Sequence, residues 1–329
     1  MTTSINLSIL EHFQSKRIAV IGDLMLDIYH RGSVTRISPE APVPVVNIDS
    51  VEYHPGGAAN VAMNLRSLGA DVDVFGVAGA DLNGDILASE LTDFGINIDG
   101  VVTDSNRPTT AKTRVIAGAQ HVVRTDLEDV SDLTNDISTK LLDSFSTLVS
   151  SYDAVILQDY NKGVFTTENI SRFIQHCCEH ETTVTVDPKF LNFFDFQHTT
   201  LVKPNIREVE NILGRSVKTD TELQGAGDEF IQKLDCKYLL VTLGARGMQL
   251  FTRDGAAERL PTQAKKVADV SGAGDTVIAT VTLAMVSGAG ARSAAILGNI
   301  AAGKVCEEVG IVPITRENLR NAISAIIPE

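Results

Sequence analysis

The stretch Asp269-Val-Ser-Gly-Ala-Gly-Asp275 sets two glycines and a carboxylate at the start of an apolar segment, Thr276 to Val286. Gly272 and Gly274 free the backbone so that successive N–H groups can converge on one point. A helix beginning there directs its positive dipole end to the same point. Gly272, Ala273 and Gly274 therefore read as an anion hole. Asp275 beside it has the geometry of a general base that takes a hydroxyl proton as a phosphoryl group arrives. The chemistry implied is phosphoryl transfer to a small hydroxylated molecule. A second Gly-Ala-Gly-Asp, Gly225 to Asp228, lies in a polar stretch that no strand feeds, and reads as a helix-start turn.

Other residues complete such a site. In His54-Pro-Gly-Gly-Ala-Ala-Asn-Val-Ala62 the backbone can approach a sugar closely at Gly56 and Gly57, and Asn60 offers a donor and an acceptor to hydroxyls. Asp23 and Asp27, after the first strand, can accept two further hydroxyls, or serve as an N-cap and a solvated carboxylate. Asn205 and Glu208 have the spacing of a capping box; the same oxygens could organise water around Mg²⁺. Thr242, Gly244 and Gly247 form a glycine turn that could lie on nucleotide phosphates or ribose, or simply turn a hairpin. Gly298 to Lys304 misses a Walker A loop, because Val305 stands where Ser or Thr is needed and the pattern is helical. No strand-to-helix GxGxxG occurs, which disfavours a dinucleotide enzyme.

These residues need a scaffold, and the apolar patterning supplies one. Short apolar runs at Arg17 to Gly22, Val72 to Gly76, Ala154 to Leu157, Thr183 to Val186, Leu201 to Val202 and Tyr238 to Thr242 read as buried strands. Helical patterns at 58–68, 84–94, 136–149, 167–180, 206–213 and 223–234 alternate with them. This predicts an α/β fold, a central, mostly parallel sheet flanked by helices, in a single domain over 1–329. Its ligands belong at the carboxyl ends of the strands. Two β-rich segments, about 28–55 and 97–126, break the alternation and predict a small inserted sheet, a lid that keeps water from the reaction. Further helices are expected over 293–309 and 316–327.

Composition narrows the partners. A formal charge of −14 argues against nucleic acid, and no apolar run approaches the roughly 18 residues of a membrane span. The first residues lack a secretory pattern, so the cytoplasm is the expected compartment. Four cysteines without CxxC spacing and seven scattered histidines predict reduced thiols and no zinc site. Unpaired lid strands imply a homodimer joined lid to lid.

Taken together, the Gly56 to Ala62 block, Asn205-x-x-Glu208 and Asp269 to Asp275 resemble, in order and separation, the signatures of the ribokinase-like, or PfkB, carbohydrate kinases. Ser271 stands where many members carry Thr. Within that family Gly22 to Asp27, Arg36-Ile-Ser-Pro-Glu-Ala-Pro-Val-Pro44, Lys112-Thr-Arg114, Arg124-Thr-Asp126 and Asp159-Tyr-Asn-Lys-Gly163 look most like the D-glycero-β-D-manno-heptose-7-phosphate kinases, alone or as the kinase half of the bifunctional heptose enzyme. The resemblance implies a ribokinase-like fold and transfer of the ATP γ-phosphate to the anomeric hydroxyl of that sugar phosphate, in ADP-heptose and lipopolysaccharide core synthesis. It makes Asp275 the base and assigns Asn205 and Glu208 to Mg²⁺ and phosphate, with Thr242 and Gly244 near the nucleotide. Asp23, Gly57 and Asn60 would hold the sugar; a monovalent-cation requirement stays open. Lys112, Arg114, Arg124 and Lys162 are the candidate ligands of the substrate phosphate. No HxGH nucleotidyl-transfer motif occurs, so a stand-alone kinase and the kinase half of a longer protein both fit. A PfkB kinase for another sugar or nucleoside is the alternative, and a non-catalytic binding protein, which needs no base, is the more distant one.

Overall fold

The computed structural model describes residues 7–262, 267–308 and 310–326. After a 3₁₀ segment, Leu7–Ser15, the chain runs through β1 (Arg17–Gly22), β2 (Leu24–Ile37), β3 (Pro44–Gly57), α1 (Ala58–Leu68), β4 (Asp71–Gly79), α2 (Leu82–Asp93) and β5 (Asn97–Asp104). It continues with β6 (Ala111–Ala117), β7 (Gln120–Leu127), α3 (Asn135–Ser146), β8 (Ala154–Gln158), α4 (Thr167–Glu179), β9 (Thr183–Asp187) and β10 (Leu201–Val202). The rest is α5 (Ile206–Leu213), α6 (Asp220–Leu234), β11 (Tyr238–Thr242), β12 (Met248–Thr252), β13 (Ala257–Leu260), α7 (Ala273–Val286), α8 (Ala291–Val305) and α9 (Arg316–Ile326).

Side-chain alternation along the buried strands decides the layering. In β1, Ile18 and Val20 join one core with α1, α2, α7, α8 and α9, while Ala19 and Ile21 join a second core with α3, α4 and α6. β4 and β8 divide their side chains the same way, so one sheet separates two apolar layers. Among the described residues this sheet has nine strands in the order β13-β12-β11-β10-β9-β8-β1-β4-β5. It is parallel except where β12 and β13 run antiparallel at one edge. From β1 the chain moves to β4 and β5 on one side and returns to β8 on the other. The carboxyl ends of β1 and β8, with Gly22 opposite Gln158, thus flank the crevice where such a sheet receives ligands. No helix among the described residues is long and apolar enough to cross a membrane.

The second sheet, β3-β2-β6-β7, has its own strand set. β2 is buried over its first six residues and then runs out into solvent, tying this sheet to the crevice. The sequence expectation for its extent needs correction. The 97–126 segment does not belong to it whole: β5 pairs with β4 and extends the large sheet, because Gly100 and Val101 continue the parallel register at Phe75 and Gly76. The small sheet instead gains length at 24–27 and 56–57. The Gly225 to Asp228 repeat is also corrected, from a helix start to the interior of α6, which begins at Asp220 behind a Thr219 capping box. Gly227 lies against the Phe251 ring, where a larger side chain has no room. Met1 to Asn6, Val309 and Ile327, which earlier expectations touched, lie outside the described residues.

Candidate active site

α7 begins three residues earlier than its apolar pattern suggested, so Ala273, Gly274 and Asp275 form its first turn. Its N-cap is Gly272 at φ 74°, a left-handed conformation that most side chains resist; a Cβ there would also stand 2.9 Å from Asn60 Nδ2. First-turn N–H groups have no intrahelical acceptor and face outward with the positive dipole end. Ala273 turns its N–H back to Val270 O at 3.3 Å, which leaves Gly274 and Asp275 as the first-turn donors best free for an anion. Lys203, nearly fully buried, adds a charge: its Nζ lies 3.4 Å from where a Cβ on Gly274 would be.

Asp275 is buried and held by neutral donors. Asn60 Nδ2 donates to Oδ2 at 2.7 Å; Tyr160 Oη and Gln158 Nε2 donate to Oδ1 at 2.8 and 3.2 Å. Burial raises the carboxyl to about 6; donation from Asn60 and Tyr160 and the charge of Lys203 pull it down, and Asp187 pushes it up. Asn60 reaches it because Gly57, at φ 58° and with no room for a Cβ beside Asp23 O at 2.5 Å, starts α1 against β2. Asn64, one turn on, receives the Thr276 hydroxyl at 3.0 Å and locks α1 to α7. Asn60, expected at the sugar, thus touches Asp275, the candidate base, directly.

The carboxyl ends of the central strands complete the site. Asp23, after β1, is neither an N-cap nor solvated: its carboxylate accepts the backbone N–H groups of Tyr160, Lys162 and Val164 at 2.6, 3.1 and 3.3 Å. It thereby fixes the loop after β8. Asp159 on that loop is buried beside it; burial and then the charge of Asp23 raise its carboxyl to about 7. Asp187, ending β9, pairs with Lys203 at 2.9 Å and accepts from Gln158 at 3.0 Å. Lys189 pairs with Glu208 and sits 4.9 Å over the Tyr160 ring. Burial alone would lower the Lys189 ammonium, yet Asp187 and Glu208 hold it above the usual lysine range.

Asn205 and Glu208 form the reciprocal capping box at the start of α5, with bonds of 2.8 and 3.0 Å. An isolated bridge from Asn205 to Thr242 ties this helix start to the end of β11. Among the described residues no group of three or more His, Cys, Asp or Glu is arranged to hold a metal. Mg²⁺ held largely through water still fits the donors present. Glu208 and Asp187 offer hard oxygens, and Asp187 Oδ1 is buried without a hydrogen-bond partner.

Thr242, Gly244 and Gly247 turn the β11–β12 hairpin, so the hairpin reading holds. The same turn lines a cleft of about 250 Å³ that Ala273 and Gly274 close from the other side, over a largely apolar floor including Val277. An apolar slot ending at a helix N-terminus suits a planar base with a phosphate chain.

The expected cations, three on the small sheet and Lys162 on the loop after β8, all have acidic partners. Arg114 pairs with buried Asp27 and lies 5.1 Å over the Tyr29 ring; Gly56 faces Met25 across β2 and β3 in this corner. Lys112 meets Asp126 and Glu128 at 3.2 and 3.4 Å; Arg124 meets Asp126 at 2.9 Å; Lys162 meets Glu128 at 2.9 Å.

Residue patterns alone missed Gln158, Tyr160, Asp187, Lys189 and Lys203 as site residues. Each lies at or within three residues of the carboxyl end of an expected strand, a position that the parallel-sheet rule marks in advance.

Comparison with known proteins bears on family and fold. The profile described as pfkB family carbohydrate kinase matches residues 15–316. The chain is 39% identical over 303 residues to the bifunctional protein HldE of Geobacter sulfurreducens, covering 92% of this chain and 62% of that protein. It is 40% identical over 314 residues to the bifunctional protein HldE of Coxiella burnetii, covering 95% and 65%. The chain therefore spans less than two thirds of the length of these relatives. In fold it is similar to phosphofructokinase-2 from Escherichia coli in complex with potassium, with a TM-score of 0.77 at 20% identity over 95% of this chain and 100% of that one. Ribokinase of Arabidopsis thaliana complexed with ribose and ATP gives 0.73 at 20% identity, over 94% and 98%.

Proposed function

We infer the reaction from one premise: the chain belongs to the PfkB family of carbohydrate kinases. We propose that it transfers the γ-phosphoryl group of ATP to the anomeric hydroxyl of D-glycero-β-D-manno-heptose 7-phosphate, giving the 1,7-bisphosphate for ADP-heptose synthesis in the cytoplasm. The observation that carries this reading is the lone-pair count at Asp275. Oδ1 receives two donors, Tyr160 and Gln158, whereas among the described residues Oδ2 receives Asn60 alone and keeps a lone pair for an incoming hydroxyl proton. The sugar oxygen gives that proton to Oδ2 as it bonds to phosphorus and the bond to the departing ADP breaks.

The first-turn N–H groups of α7 and Lys203 stabilise the charge that builds on the transferring group. The cleft between the β11–β12 turn and α7 takes the nucleotide. Mg²⁺, when bound, neutralises phosphate charge, and Glu208, Asn205 and Asp187 would hold it through water. The small sheet acts as the lid, and its cations face the substrate phosphate. Its strand edges and exposed Val34, Ile37, Val43 and Val123 favour a lid-to-lid homodimer.

The test is ATP consumption with the heptose 7-phosphate, its unphosphorylated sugar, ribose and fructose 6-phosphate, in potassium and in sodium. Preference for the heptose phosphate supports the assignment. Turnover of another sugar alone keeps Asp275 as base and discards the heptose, and no turnover with any of them points to a binding protein.

A further inference from the structure

Lys112 and Lys162 come from different parts of the fold, yet both ammoniums converge on one oxygen. Glu128 Oε2, just past β7, takes Lys112 Nζ at 3.4 Å and Lys162 Nζ at 2.9 Å. The three side chains keep 17%, 17% and 26% of their surface in contact with solvent, so a dissolved anion can reach them. Neither lysine is loosely placed. Lys112 is the second residue of β6, an inner strand of the small sheet, opposite Asp27 of β2 and Asp126 of β7. Lys162 is pinned through its backbone: its N–H donates to Asp23 at 3.1 Å and its carbonyl accepts from Arg107 at 3.3 Å. Two residues back on the same loop, Tyr160 donates to the base. One anchored loop thus presents a cation toward the small sheet and a hydroxyl toward Asp275.

We infer that Glu128 occupies the place of the substrate's phosphate: Lys112 and Lys162 form an oxyanion-binding pair that an internal carboxylate fills until a phosphorylated ligand displaces it. This deepens the sugar-phosphate reading above and rests on it. A single carboxylate oxygen serves both lysines, whereas a phosphate monoester brings about −1.5 to −2 charge and three acceptor oxygens. It can give each ammonium its own partner. A neutral sugar brings no charge to the lysines, so it neither displaces Glu128 nor gains from its removal; the internal carboxylate competes with the phosphorylated ligand alone. Asp126, the other partner of Lys112, is also claimed by Arg124 and stays with it.

The test uses Glu128→Gln, with Glu128→Ala as a second variant and thermal unfolding as the check that both fold. Inorganic phosphate is titrated calorimetrically into the full chain, and KM is measured for the phosphorylated and unphosphorylated sugar. Removing the competitor is expected to tighten phosphate binding and to lower KM for the sugar phosphate by about fivefold, with KM for the unphosphorylated sugar unchanged. Lys112→Gln and Lys162→Gln are expected to abolish the phosphate response. Unchanged or weaker phosphate binding in both folded Glu128 variants overturns the inference and makes Glu128 a clamp that builds the loop. Tighter phosphate binding in a protein that turns over no sugar phosphate keeps the anion pair and removes the substrate reading instead.

Discussion

Carboxylates at the sheet crevice and carboxylates on the small sheet share one chemistry and differ in everything around it. Asp23, Asp159 and Asp275 are buried and held mainly by neutral groups, backbone N–H, amide and phenol. Burial raises all three carboxyls. Asp126 and Glu128 keep 24% and 26% of their side-chain surface in solvent, and although partial burial works against it, Lys112, Arg124 and Lys162 hold them below the usual carboxylate range. Neutral donors in a dry site leave a carboxylate basic enough to take a proton; cations in a wet one turn it into a counter-ion. Position in the fold therefore separates the proposed base from the counter-ions of the small sheet.

The largest break in this contrast comes from the proposed base, Asp275. Asp275→Asn keeps the bonds to Tyr160 and Gln158 within reach but has no basic oxygen, and is expected to lower kcat by on the order of a hundredfold or more. Nucleotide binding, followed by calorimetry, is expected to persist. Near-normal turnover would remove Asp275 from its role. For a base that works ionised, the wild-type kcat is expected to fall as pH drops through about 6.

Tyr160→Phe tests the neutral donors. The phenol stabilises the ionised carboxylate, so its loss is expected to move the acid limb to higher pH by about one unit and to lower kcat at pH 7 by about twofold. A pH–rate profile that keeps its midpoint would reduce Tyr160 to packing under Lys189.

Much of this site was legible in the residues, for identifiable physical reasons. The Asp269 to Asp275 turn declares itself because the left-handed backbone at Gly272 favours glycine and because an apolar helix follows. The layers follow from strand periodicity. Tyr160, Gln158 and Lys203 were hidden because no local pattern marks them: they meet Asp275 only through strand order, over separations exceeding 70 residues. β5 was misread for a related reason. Its residues pattern like a short exposed strand, and which sheet receives them depends on a partner, β4, that sequence spacing does not name. Arg114 and Lys162 were legible as charges, but not the carboxylates that hold them.

Asp159 offers a smaller test on stability. Its folded carboxyl titrates near 7, above the 3.8 of an unperturbed aspartate, so between those values the folded state holds a proton that the unfolded chain has released. Its stabilising contribution is full below about 4 and lost as pH rises through about 7. Asp159→Asn is expected to shrink the difference in unfolding free energy between pH 5 and pH 8 by about 2–3 kcal/mol. Denaturant melts at the two pH values decide it. An unchanged difference would mean that Asp23, whose carboxyl burial raises alongside, carries the dependence.

Arg124→Ala is expected to do least. Its guanidinium meets Asp126 through two nitrogens at 2.9 and 3.0 Å, the geometry that favours a strong pair, but its side chain is 57% exposed. Water and salt screen such a pair, and holding a long side chain in place costs entropy, so the loss is expected to stay below about 1 kcal/mol and to shrink further in 0.5 M salt. Asp126 keeps Lys112 as a partner, so the strand pairing of β6 with β7 is not left with a stranded charge. A loss of several kcal/mol, insensitive to salt, would mean that the small sheet is held by its ion pairs as firmly as the crevice is by its buried donors, and the contrast between the two regions would fail.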